Sequence, residues 1–459
     1  MKHFDVLVVG SGSGMMIADA AVNSGKTVAL VEKGKLGGTC LNVGCIPSKM
    51  VIYPADLVNI IKHAEELGVK AKIESIDFNG IMKRTRDFVA HDRQPMEEAI
   101  NQVEGLTYYH VKGEFIDDYT MRVGDETIKA DNIFLVSGAR PLIPAIKGIE
   151  SVPYLTNENI WELKEKPESM VIVGGGFIAC EMAHFFSSMG VNVTLLSRSP
   201  RLIKQAEPEI SDILITSMRQ RMHIETDIEV TEVEKTGEKL KVIAQKKTGE
   251  PKEYVASHIL LSAGRKSNAD LLKVEKTGVE VDDRGYIVVD EEYQTSKPRI
   301  WALGDAIGKA MYKHVANKEA EIVWHAFSHG HSHPLNYDLV PYAVFSWPQV
   351  ASVGLTEAEA RERGYEFYIG EYNYIDTAKG AAMAEEDGYV KVIITRDNYK
   401  ILGAHIVGLY APILIQEVIN VMNVGEGTVH PLIDALHIHP ALPEVVQRAF
   451  YNIREPESV

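Results

Sequence analysis

The chain has 459 residues, 45% hydrophobic and 24% charged, with a formal net charge of −16; this suits globular domains, roughly three at about 150 residues each, and excludes a disordered or fibrous chain. No run approaches the ~18 apolar residues of a membrane span, MKHFDVLVVG carries no signal-peptide pattern, and the acidic balance without any basic run argues against a nucleic-acid or anionic-membrane partner. A cytoplasmic location is expected, and three cysteines are too few for a disulfide framework.

The segment DVLVV (5–9) reads as a buried parallel strand. Gly10, Gly12 and Gly14 follow, then a helical stretch to Ser24 and a second strand, TVALVE, ending at Glu32. Strand, glycine loop, helix, strand and terminal acid make a βαβ dinucleotide fold. The glycines let backbone approach a pyrophosphate at the helix N-terminus, and Glu32 is placed for a ribose hydroxyl. Met15 stands where the last glycine of GxGxxG is usual.

GGTCLNVGCIPSK (37–49) places Cys40 and Cys45 five positions apart. On one straight helix such residues lie about 140° apart, poor geometry for a bridge that needs Cα atoms within about 7 Å. A bridge therefore requires Cys40 outside the helix that the pattern Met50, Val51, Leu57, Ile60, Ile61 predicts. Gly37, Gly38 and Gly44 permit the turn, and Pro47 suits a first helical turn. Cys45 then sits near a helix N-terminus, which favours its thiolate. Inert thiols, a metal site and a redox pair all remain open at this point, although the segment offers few further metal ligands.

A second βαβ unit occupies 170–203: the strand MVIV, the loop Gly174-Gly-Gly176-Phe177-Ile178-Ala179, a helix from about Cys180 to Met189, and the strand VNVTLLSRS. Two units imply two nucleotides. At the position of Glu32 the second copy has Ser197, followed by Arg198, Arg201 and Lys204, cations that suit a 2′-phosphate and hence NADPH over NADH. His325, His329, His331 and His333 in HAFSHGHSHP read as a solvated loop, no metal is expected, and Cys180 reads as a small packing residue.

Together these motifs resemble the flavoprotein disulfide reductases, the family that includes dihydrolipoamide dehydrogenase, glutathione reductase and mycothione reductase. The resemblance covers essentially the whole chain. GGTCLNVGCIPSK is similar to the family's redox-active segment, TSKPRIWALGDA (295–306) to its second FAD motif, VSGARP (136–141) and LSAGRKSN (261–268) to its crossovers, and HIHPALPE (437–444) to its catalytic-base segment. It implies an α/β protein with two Rossmann-like βαβ domains and an α+β dimerisation domain. The FAD domain is discontinuous (1–145 and 265–335), the NADPH domain spans 146–264 and the interface domain 336–459.

The resemblance implies a homodimer whose subunits share each active site, and a relay from NADPH through FAD to a Cys40–Cys45 disulfide and then to a small-molecule disulfide. Cys45 would face the flavin and Cys40 attack substrate; His439 would be the base, oriented by Glu444, with Lys49 and Glu181 paired beside the flavin. FAD would be held by Gly10, Gly12, Gly14, Glu32, Gly38, Thr39, Lys49, Gly113, Gly138, Asp305 and the helix start at His314. NADPH would be held by Gly174, Gly176, Phe177, Ile178, Ala179, Arg198, Lys204 and Gly264. Asp19, Phe177, SNADLL, KHVANKEA and HPALPEVV are similar to the mycothione reductase branch, whereas HIHP is similar to dihydrolipoamide dehydrogenases. Ala20 replaces the arginine of glutathione reductases, and the terminus YNIREPESV lacks the cysteine pair of mercuric reductases.

Overall fold

The computed structural model describes residues 1–331 and 333–457. Because Val6, Leu7 and Val8 are completely buried, the first strand, Lys2–Val9, needs cover on both faces, the condition of a central parallel strand. It lies between Val28–Glu32 and Glu126–Leu135, with Leu106–His110 outside the former and Ile300–Ala302 beside the latter, all parallel. The helix Gly14–Asn23 makes the crossover, burying Ile17, Ala18 and Ala21.

The segment 146–264 repeats the plan. Its parallel sheet runs His223–Glu225, Asn192–Leu196, Ser169–Val173, His258–Leu261, with the helix Phe177–Ser188 packed on it and a separate antiparallel sheet from Ile228–Thr236, Lys239–Lys246 and Lys252–Ala256. The strand expected to include SRS stops at Leu196, because Ser197 turns inward beneath the glycine loop. Chain crossings into and out of this segment are joined by a short antiparallel ladder, Ala139–Pro141 on Arg265–Ser267, next to the expected boundaries at 145 and 265.

From Tyr342 onward an antiparallel six-stranded sheet carries the helices Ala411–Met422 and Glu444–Tyr451. It is fastened to the middle segment by charge: Lys391 Nζ lies 3.1 Å from Glu207, both 1% exposed, and 2.9 Å from Glu357. Such a buried cluster holds only while every member is paired. Among the described residues no helix is long and apolar enough to cross a membrane.

The histidine-rich stretch differs from its reading as a loop. The helix Lys313–His329 continues through His325 and His329 and ends at Gly330, whose φ of +76° provides the left-handed cap. Phe327, partly buried with its ring 5.4 Å from Phe134 and from Trp301, holds this turn in the helical register. The His325 and His329 rings stack at 4.5 Å, and His331 meets His325 edge-on at 5.0 Å.

Candidate active site

The redox segment folds as two helices, Gly38–Val43 and Cys45–His63, broken at Gly44 (φ −133°, ψ −108°). Cys40 lies outside the longer helix, as a bridge requires, yet it occupies a short helix of its own rather than a turn, and the break at Gly44 lets its thiol point back to Cys45. Cys45 opens the longer helix, as the sequence predicts. Asn42 knits the short helix, donating to the Leu36 and Gly38 carbonyls at 2.8 and 2.9 Å and accepting from Arg93 at 2.9 Å. The end carbonyl of that helix, on Val43, accepts from Trp161 Nε1 and Asn157 Nδ2, each at 3.2 Å, so the orphaned group is satisfied from the middle segment.

The two free thiols are unequal. A hydrogen bond from Cys40 lowers Cys45 to about 7, against the opposing effect of burial and with help from the Lys49 charge. Donating that bond, and being buried, pushes the Cys40 thiol well up. The reduced pair therefore holds its negative charge on Cys45. Lys49 is clamped by Glu181, Nζ lying 2.9 Å from each carboxylate oxygen. Glu181 is buried and also accepts the Phe345 N–H at 3.1 Å, while the Phe345 ring lies 4.1 Å below the ammonium. Cys180, beside it, is fully buried, and burial raises its thiol.

The residues expected at FAD form a cradle that fits a dinucleotide. A Cβ on Gly10 (φ +105°) would lie 2.2 Å from the Val136 carbonyl oxygen, and one on Gly38 (φ +66°) 2.8 Å from Gly12 Cα, so these glycines let backbone pack on backbone, while Gly12 has no atom within 4 Å of its Cβ position and leaves open space for a pyrophosphate. Thr39 lies on the same short helix. The Glu32 carboxylate is held in place by the Ser11 N–H and O–H, at 2.9 and 2.8 Å, and the Gly34 N–H at 2.7 Å. Asp305 lies 3.2 Å from Arg265, its pKa raised by burial. Its turn is anchored by buried Glu319, which accepts the Gly304 N–H at 2.6 Å. Gly138 is open around its Cβ position, whereas Gly113 is explained by packing, because a Cβ there would lie 2.5 Å from Met121 Sδ. The helix expected to start at His314 starts at Lys313; the His314 ring faces the Pro341 carbonyl at 2.9 Å.

In the second loop, a Cβ on Gly174 would strike the Ser262 carbonyl oxygen at 2.3 Å, while Gly176 is unobstructed and Gly264 meets only Leu142. Phe177, Ile178 and Ala179 open the following helix, and the Phe177 ring lies 6.3 Å from Tyr312. Ser197 is 1% exposed and Arg198 is 81% exposed, 3.5 Å from Glu229. Lys204 is exposed on the same loop.

His439 stands far out, 67% exposed, with Nδ1 2.9 Å from Glu444 Oε1. Glu444 is buried and also accepts the Ala441 N–H at 3.2 Å; the His439 hydrogen bond pulls its carboxyl below the usual range. Because a carboxylate only accepts, Nδ1 donates to Glu444, which leaves Nε2 as the ring nitrogen not engaged by it. Within one chain His439 bonds Glu444 and not the thiols. Leu436 and Ile438 beside it are 102% and 80% exposed, an apolar rim that calls for a covering surface.

Lys313, Asn42, Arg93 and Trp161 escape a reading of the sequence. Lys313 opens KHVANKEA and Asn42 lies inside GGTCLNVGCIPSK, so both stand within motifs singled out there without a role of their own, whereas Arg93 and Trp161 are far from the cysteines in sequence.

Residues 4–320 match the family model described as pyridine nucleotide-disulphide oxidoreductase, and residues 340–450 match its dimerisation domain. A mycothione reductase of Mycobacterium tuberculosis is 35% identical over 465 residues, covering 99% of this chain and 100% of the relative. A dihydrolipoyl dehydrogenase of Chlamydia muridarum is 32% identical, with 97% and 95% coverage. Among solved structures, the Cu(II) complex of the HOCl-induced flavoprotein disulfide reductase RclA from Escherichia coli superposes with a TM-score of 0.87 at 26% identity, covering 98% and 99% of the two chains.

Proposed function

We propose a specific reaction for this chain, which belongs to the pyridine nucleotide-disulphide oxidoreductase family, FAD- and nicotinamide-dependent enzymes acting on sulfur groups, and carries its dimerisation domain. It reduces a low-molecular-weight thiol disulfide of mycothiol type, or a functional analogue, with NADPH, as a homodimer whose subunits share each active site. The observation that carries this reading is the thiol pair set across the break at Gly44, with Cys45 at the start of the long helix that also carries Lys49, whose Nζ lies 2.9 Å from each oxygen of Glu181. The mycothione reductase relative over full length supports the substrate class, and Arg198 and Lys204, with no acid at Ser197, support the phosphorylated nicotinamide.

Gly10, Gly12, Gly14, Glu32 and Asp305 would hold FAD, with Lys49 at its reactive end. The chemistry FAD supplies when bound is two-electron transfer between the nicotinamide and the Cys40–Cys45 disulfide. From the dithiol onward the chain's own residues act. His439 of the partner subunit takes the proton of Cys40, whose sulfur attacks one sulfur of the substrate; the substrate S–S bond breaks and the leaving thiolate takes the proton back from the imidazole. Cys45 then attacks Cys40, the Cys40–Cys45 bond forms, and the second thiolate leaves. Two electrons pass from the dithiol to the substrate.

The test is a panel of lipoamide and several thiol disulfides, each with NADPH and NADH, on wild type, Cys40→Ser and Cys45→Ser. Turnover of a thiol disulfide with NADPH, lost in both variants, is the expected result. Retained turnover in either variant removes the pair from the reaction, and a preference for lipoamide with NADH assigns the chain to dihydrolipoamide dehydrogenase.

A further inference from the structure

Lys313 sits where stability alone would not select it. It is the first residue of the 17-residue helix Lys313–His329, at the end where the backbone dipole is positive and a cation is disfavoured. It is half-buried, and burial lowers its pKa. Yet its ammonium is held: Nζ donates to Ser13 Oγ at 3.0 Å, and Ser13 donates on to Asn317 at 2.9 Å, tying it across the glycine loop of the first βαβ unit. Among the described residues no carboxylate lies within ion-pair distance of Nζ; the nearby Asp305 is taken by Arg265. Lys49, the other cation of the site, is neutralised by both oxygens of Glu181.

We infer that Lys313 is a further electrostatic residue of the reaction, serving the thiolate of Cys40 as Lys49 serves that of Cys45. Ser13, which holds Lys313, follows Gly12 in the glycine loop, and the short helix of Cys40 packs on that loop, a Cβ on Gly38 lying 2.8 Å from Gly12 Cα; from there the charge of Lys313 acts on Cys40 in the direction of ionisation. The division has a chemical reason. The resting dithiol keeps its charge on Cys45, so when Cys40 loses its proton two negative sulfurs face each other, and a cation without a carboxylate partner is what makes that state accessible. Lys313 forms and breaks no bond. The groups facing the pair are Lys49 with Glu181, and Lys313; Asp305, beside Lys313, is paired with Arg265, and Arg93 is turned to Glu97 and Asn42. This inference rests on the proposed role of Cys40 as the attacking thiol.

The experiment is the pH dependence of iodoacetamide alkylation in the reduced holoenzyme, with Cys40 and Cys45 read separately by mass spectrometry. Lys313→Gln keeps a donor for Ser13 and removes the charge. It should move the Cys40 midpoint up by about one pH unit, the scale of removing a unit charge beside a half-buried group, and move Cys45 less; Lys313→Arg should restore the wild-type Cys40 profile. An unmoved Cys40 profile in Lys313→Gln overturns the inference, as does an equal shift of Cys45. If Lys313→Gln fails to retain flavin, Lys313→Met is read against the same two outcomes. Turnover retained by Cys40→Ser would instead sink the proposed role of Cys40, leaving the alkylation result standing.

Discussion

Replacing Glu444 by Gln leaves an oxygen that can still accept the His439 Nδ1–H bond now made at 2.9 Å, but removes the negative charge that balances the imidazolium formed when His439 takes a proton. Charge-assisted hydrogen bonds contribute about 1.5 to 3 kcal/mol and neutral ones about 0.5 to 1.5, so the loss is near 1 to 1.5 kcal/mol, or about 5- to 15-fold in rate. The 67% exposure of His439 places it at the lower end, because solvent screens the pair. His439→Gln should cost about 10²- to 10⁴-fold, the range of general acid–base assistance. Glu444 acts through His439, so the double variant should be no slower than His439→Gln alone. Single-turnover oxidation of the dithiol by substrate reads these rates in a stopped-flow instrument, and anaerobic bleaching by NADPH should be unchanged in all three variants. A Glu444→Gln penalty that recurs in full on the His439→Gln background would refute the coupling.

If each active site is shared, equal amounts of Cys40→Ser and His439→Gln chains, unfolded and reassembled together, should recover about 25% of wild-type activity, since half the dimers are mixed and each has one intact site; no recovery means the site is built within one chain. The Arg198→Ala, Lys204→Ala double variant should lose most of its preference for NADPH, seen as a rise in KM for NADPH with KM for NADH little changed, and a wild type that prefers NADH contradicts the assignment. Glu225, bonded to Lys252, Tyr254 and His223, has its carboxyl lowered from 4.5 to about 2. A depressed carboxyl stabilises the fold above its ordinary value and loses that contribution as pH falls through the folded one, so urea stability should drop between pH 4.5 and 2 less steeply in Lys252→Met than in wild type; identical slopes would count against this.

Local rules determined much of this protein directly from the sequence. Both βαβ units were legible because buried parallel strands are continuous apolar runs and because a loop that meets a pyrophosphate must be glycine, and the strands fell at Lys2–Val9 and Ser169–Val173 as those patterns require. Cys45 at a helix start and the His439–Glu444 bond followed from a few residues' spacing. What lay outside those rules were features set by distant chain. The short helix around Cys40 persists because Arg93, Asn157 and Trp161 bond to it from up to 118 residues away, and the histidine-rich turn became helix because Phe327 within it packs on the distant rings of Phe134 and Trp301. Which thiol holds the charge, and which lysine is neutralised, were decided only by tertiary structure: Glu181 lies 132 residues from Lys49 and Ser13 lies 300 from Lys313, and electrostatic coupling depends on distance through space, which sequence separation does not encode.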